Sequence, residues 1–135
     1  MATQIFVNLP VKDLDRSVAF FTKLGFTFNP QFTDENATAM IISEDIIVML
    51  LVENFFKSFT GKEINDTAKT SEVILSLSAE SRAQVDDILE NAIAAGAATP
   101  NAPQDHGWMY QRGFEDLDGH AWEFAYMDMS SLPQE

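Results

Sequence analysis

The chain has 135 residues, 46 % of them hydrophobic and 11 of them Phe, which is enough apolar material to pack a core and argues against global disorder. That length is one domain, or two very small modules sharing a core. A formal net charge of −13, from 8 basic and 21 acidic residues, argues against nucleic acid and anionic membrane surfaces as partners. No cysteine is present, so disulfides, thiolate metal sites and a Cys nucleophile are excluded. No basic leader precedes an apolar run and no stretch is long and apolar enough to span a membrane, so a cytoplasmic location is expected.

Residues 5–9 form a strand candidate that Pro10 ends. Leu14, Val18, Phe21 and Leu24 then recur at helical spacing, with Asp13 placed to cap the helix and Gly25 to end it. An extended pattern resumes at Phe26-Thr27-Phe28 and breaks at Asn29-Pro30. Residues 37–43 and 46–52 are two apolar runs around Glu44-Asp45, which predicts a hairpin. Residues 53–71 read as a connector, compatible with one short helical turn. Phe55, Phe56 and Phe59 in it are costly to expose, so they are expected to plug one end of a sheet or to close over a pocket.

The pattern then repeats. Residues 72–78 alternate as a strand, residues 78–81 offer cap chemistry, and Val85, Ile88, Leu89, Ala92 and Ile93 mark the apolar face of a helix ended by Gly96. A strand fragment or loop over 97–104, a strand over 106–114 and a last strand over 121–127 follow, and 130–135 reads as a frayed tail. Asn8-Leu9-Pro10-Val11 matches Ser76-Leu77-Ser78-Ala79, Leu24-Gly25 matches Ala95-Gly96, and Met49 matches Glu123, with an offset that drifts slowly as small loop insertions in a duplicated unit would make it. The expected fold is α+β: two tandem βαβββ modules, about 1–55 and about 72–129, joined through a connector at about 53–71 into one domain over 1–135.

Asp118-Gly119 is a turn signal, and in the strand after it Ala121, Glu123 and Ala125 share one face while Trp122, Phe124 and Tyr126 share the other. Glu123 is thus a lone carboxylate between two small residues. Either that face is solvated, or Glu123 looks into a cavity, where it would serve as a metal ligand or general base. His120 reads most simply as a solvated turn residue, and His106 as a loop residue with the rim of a cleft as the alternative. Arg112 would recognise a carboxylate or phosphate in a cleft, or pair at the surface with Glu115 or Asp116; Tyr110 shares its face.

The run 8–26, Asn8-Leu9-Pro10-Val11-Lys12-Asp13-Leu14 through Lys23-Leu24-Gly25-Phe26, together with Asp116-Leu117-Asp118-Gly119-His120-Ala121-Trp122-Glu123-Phe124, resembles the vicinal oxygen chelate superfamily of glyoxalase I, extradiol dioxygenases and bleomycin or fosfomycin resistance proteins. The resemblance covers nearly the whole chain. It implies paired βαβββ modules whose sheets curl around a cleft, usually in a homodimer. It also implies four ligand positions in the metal-dependent members, which fall here on Asn8, Met49, Ser76 and Glu123. Glu123 is a strong ligand for a hard divalent ion and Asn8 a weak one; the Met49 thioether and the Ser76 hydroxyl suit such an ion poorly. A degraded metal site with no cofactor is therefore expected, a divalent metal held by Glu123 and Asn8 being the alternative.

Three functions follow from the resemblance. The first is metal-free binding of a neutral or cationic small molecule in an aromatic cleft edged by Trp108, Tyr110, Arg112 and Trp122. The second is a lyase or isomerase of the lactoylglutathione lyase type with Glu123 as base, a metal being recruited by Asn8, Glu123, water and His106. The third is an interaction module making contact through Phe55, Phe56 and Phe59.

Overall fold

The computed structural model describes residues 3–132 and divides into two compact units, Met1–Asn65 and Asp66–Glu135. In unit 1, β1 (Ile5–Val11) leads into α1 (Leu14–Lys23), followed by β2 (Thr27–Asn29), a 3₁₀ turn at Pro30–Phe32, β3 (Ala37–Ile41), β4 (Ile46–Val52) and α2 (Glu53–Thr60). The four strands form one sheet in the order β1-β4-β3-β2, with β1 parallel to β4 and the other pairs antiparallel. The Asp13 side chain accepts the Arg16 amide at 3.1 Å and starts α1 as expected. Leu14, Phe20 and Phe21 of this helix are buried, as are Leu50, Met40 and Val48 on the sheet. Register puts Asn8, Met49 and Ala39 on the sheet face opposite the one carrying Leu9, Leu50 and Thr38.

Unit 2 repeats the plan with β5 (Ile74–Ser78), α3 (Arg82–Ala94), β6 (Gln104–Asp105), β7 (Met109–Glu115) and β8 (Ala121–Met127). Its sheet order is β5-β8-β7-β6, again with the first pair parallel. Ser81 caps α3 by accepting the Gln84 amide at 3.0 Å, and Val85, Leu89 and Ala92 bury its apolar stripe. Against them lie Phe114, Trp122 and Phe124, the Phe114 ring stacked at 6.5 Å on Trp122 and at 5.9 Å on Phe124. The fold is thus the expected pair of βαβββ modules.

Several local expectations are corrected. Residues 53–60 are a full helix rather than a connector with one turn. The strand expected over 106–114 starts later, at Met109, because residues 106–108 turn back so that the His106 amide reaches the Met109 carbonyl at 2.8 Å. Of the expected frayed tail, Ser130 and Ser131 close a 3₁₀ turn capped by Asp128, and 133–135 lie outside the described residues. Among the described residues no helix is long and apolar enough to cross a membrane.

Candidate functional site

The four positions singled out in the sequence fall on two equivalent register pairs, one in each sheet. Asn8 on β1 stands opposite Met49 on β4, and Ser76 on β5 stands opposite Glu123 on β8. Partners on adjacent parallel strands point to the same side, so each pair shares the sheet face that its unit's first helix does not cover.

In unit 2 the pair is bonded: Ser76 Oγ donates to Glu123 Oε1 at 2.8 Å. Glu123 is half-buried and borders a hollow of about 190 Å³ that Gln111, Glu115 and Gln104 also line. Directly across from Glu123 on β7 is Gly113. A Cβ built there would stand 2.9 Å from the Trp122 carbonyl oxygen and 3.3 Å from Glu123 Cγ, so only glycine leaves the carboxylate its room. Nothing in the sequence marks Gln111, Gly113 and Glu115 as neighbours of Glu123. A glycine inside a strand was the available signal, but its register against Glu123 is a non-local fact.

In unit 1 the corresponding face is apolar. A hollow of about 570 Å³ is lined by Phe6, Phe32, Ile41, Ile47 and Met49, with Gln4, Asn8, Asn29, Ser43 and Glu44 as its polar lining. Phe6 and Phe32 are 54 % and 63 % exposed, which is costly for aromatic rings. On its other side Asn8 borders a second hollow of about 430 Å³ with Leu51, Phe56 and Phe59. Within unit 1, α2 therefore covers one end of the sheet. Phe55 and Phe59 meet edge to face at 5.0 Å, yet Phe59 stays 69 % exposed.

Tyr110, Arg112 and Trp122 are not brought beside Glu123. Strand parity places their side chains on the α3 side of the sheet, although Arg112 and Trp122 also border the hollow at Glu123. The Tyr110 hydroxyl donates to Asp86 Oδ1 at 2.6 Å, Arg112 Nη1 donates to the same oxygen at 3.0 Å, and Arg112 Nη2 reaches Glu90 at 3.5 Å. The expected pairing of Arg112 with Glu115 or Asp116 is thereby replaced by two acids of α3. These bonds, the Tyr110 hydroxyl above all, hold the Asp86 carboxyl below its ordinary range. Arg82 lies 5.0 Å over the Tyr110 ring and forms a bidentate pair with Asp105, whose carboxyl it holds well below the usual range. Trp108 is half-buried ahead of β7, and its carbonyl accepts the Asp128 amide at 2.6 Å.

His120 is buried at 8 % exposure, which overturns the solvated-turn expectation. The cause is Asp116, whose Oδ1 accepts the amides of Asp118 and His120 and draws the turn inward. His106 is exposed in the bend before β7. Gly119 takes φ +82°, and a Cβ there would collide with Thr67, whose hydroxyl donates to the Asp118 carbonyl at 2.6 Å.

Neither pair fits a divalent metal. One offers an amide beside a thioether, the other a neutral hydroxyl already donating to the carboxylate, and a hard ion needs several oxygen or nitrogen ligands. Among the described residues no group of three or more His, Cys, Asp or Glu could hold one.

Comparison with known proteins agrees with the fold. The profile of the family described as bleomycin resistance protein-like N-terminal matches residues 3–43. A hypothetical protein from S. aureus, SA1046, is 30% identical over 93% of this chain and 95% of its own, with a TM-score of 0.78. A glyoxalase/bleomycin resistance protein/dioxygenase family enzyme from Burkholderia phytofirmans is 18% identical, with a TM-score of 0.79 over 93% of this chain and 99% of its own. The fosfomycin resistance protein FosX from Mesorhizobium loti is 15% identical, with a TM-score of 0.69 over 96% of each chain. No curated protein matches. With its paired βαβββ modules and these relatives, the chain belongs to the glyoxalase/bleomycin resistance protein/dioxygenase superfamily, the vicinal oxygen chelate proteins.

Proposed function

We propose that the chain binds a small organic molecule without the help of a metal ion, its binding surface including the apolar sheet face of unit 1. The observation that carries this reading is the hollow of about 570 Å³ in which Met49, at a position where metal-dependent relatives would carry a ligand, joins Phe6 and Phe32 as apolar lining. A thioether and two rings favour a planar apolar body. No Lys or Arg lines the hollow and the chain carries −13, so a neutral or cationic ligand is favoured over an anion. Among the relatives, bleomycin and fosfomycin resistance proteins are named for small molecules, which supports the same class of role. A homodimer acting in the cytoplasm is part of this proposal, and sedimentation equilibrium checks the dimer.

Calorimetry with a planar cation (proflavine), a neutral analogue (2-naphthalenemethanol) and an anion (2-naphthoate) tests it. The cation or the neutral compound binds one per chain, at least tenfold tighter than naphthoate, and Phe6→Ala weakens it. No binding by any of the three, or tightest binding by naphthoate, would overturn the reading.

A second reading has its own observation. Glu123, aimed by Ser76 and given space by Gly113, is arranged as a general base for removing a proton from carbon, as in a lyase or isomerase. Turnover of hemithioacetals that disappears in Glu123→Gln is the outcome this second reading expects; absence of turnover in the native chain removes it.

A further inference from the structure

We infer that in unit 2 a hydrogen bond has taken the place of metal coordination: Ser76 donates to Oε1 of Glu123 where a second strong ligand would be needed, the carboxylate is left as a lone ligand, and no divalent ion is held there. The inference goes beyond the ligand-binding reading and does not rest on it.

The neighbours of Glu123 decide the matter. Across the strands it faces Ser76 on one side and Gly113 on the other, and along its own strand the same face carries Ala121 and Ala125. Among the described residues of unit 2, strand register sets one hydroxyl and no imidazole or second carboxylate directly beside Glu123. Glu115, opposite Ala121, is the diagonal neighbour across β7, typically about 7–8 Å away. A hydroxyl bond to an ionised carboxylate is charge-assisted, and an ion at the lone pairs left free would gain this one carboxylate and no other strong ligand from its neighbours. Such an ion would be held no better than at any carboxylate of this acidic surface. Ser76 is thus the residue that decides between a hydrogen-bond acceptor and a metal ligand at Glu123.

Ser76 is exposed on the edge strand β5, so a larger side chain has room there. The test titrates Mn²⁺, Ni²⁺ and Zn²⁺ separately into the full chain by calorimetry, native and Glu123→Gln, in moderate salt that suppresses weak surface binding. The two isotherms are expected to agree within twofold for every ion. Ser76→His is expected to bind Zn²⁺ or Ni²⁺ at least tenfold tighter than the native chain, and to lose that gain when combined with Glu123→Gln. Ser76→Asp, read with Mn²⁺, gives the same answer if the histidine variant does not fold. One ion per chain in the native protein, weakened tenfold or more by Glu123→Gln, would overturn the inference, as would equal metal affinity of a folded position-76 variant and the native chain. The proflavine series fails or succeeds independently of these titrations.

Discussion

The Trp122 indole donates to Asp116 Oδ2 at 3.0 Å, tying the buried ring of β8 to the turn that introduces the strand. Asp116 also accepts two backbone amides on its other oxygen and is only 7 % exposed, and burial pushes its carboxyl above the ordinary value. An acid whose folded value is raised contributes most stability below its unfolded value, and that contribution is lost as pH rises through the folded one. Asp116→Asn sets an NH₂ against the indole N–H. It should cost about 2 kcal/mol near neutrality, and more at pH 5 than at pH 7.5. Urea unfolding at the two pH values reads both effects.

Gly113→Ala puts a methyl group where the Trp122 carbonyl and the Glu123 stem already stand. Crowding of that kind costs about 1–3 kcal/mol and turns the carboxylate from Ser76. Thermal unfolding measures the first, and the chemical shift of the Glu123 carboxylate carbon reports the second. A variant as stable as the native chain with an unmoved shift would contradict the close approach.

Tyr110→Phe removes the hydroxyl that does most to keep Asp86 below the ordinary carboxylate range. The loss should be about 1 kcal/mol at pH 7. A lowered acid stabilises above its unfolded value and stops doing so as pH falls through the folded one, so the gap between Tyr110→Phe and the native chain narrows between pH 5 and pH 3. Melting curves across that range check the sign.

Met49→Glu puts a charge into the apolar hollow of unit 1. If the hollow takes a planar ligand, binding of a neutral naphthalene falls at least tenfold while the fold survives, because Met49 is only half-buried. Glu123→Gln is expected to keep the melting temperature within a few degrees and to reduce any activity or ligand affinity that involves unit 2. Full activity in that variant would remove Glu123 from the mechanism.

Most of the succession of elements, α2 and the start of β7 excepted, was legible from residue order because it rests on local chemistry: Leu14, Phe21 and Leu24 on one helical face, Asp13 and Ser81 accepting amides three residues on, and Glu123 between two alanines on the face away from Trp122 and Phe124. The internal echo of the sequence also set Asn8 against Ser76 and Met49 against Glu123, and the two register pairs place these residues at equivalent points. Tertiary structure alone decided that Gly113 clears the space beside Glu123, that Arg112 turns to Asp86 and Glu90, and that His120 is drawn inward by Asp116. The physical reason is one of range. Periodicity and capping act over a few neighbouring residues, whereas strand register and helix docking bring together side chains as far apart in the chain as Ser76 and Glu123, and nothing local to either one specifies the other.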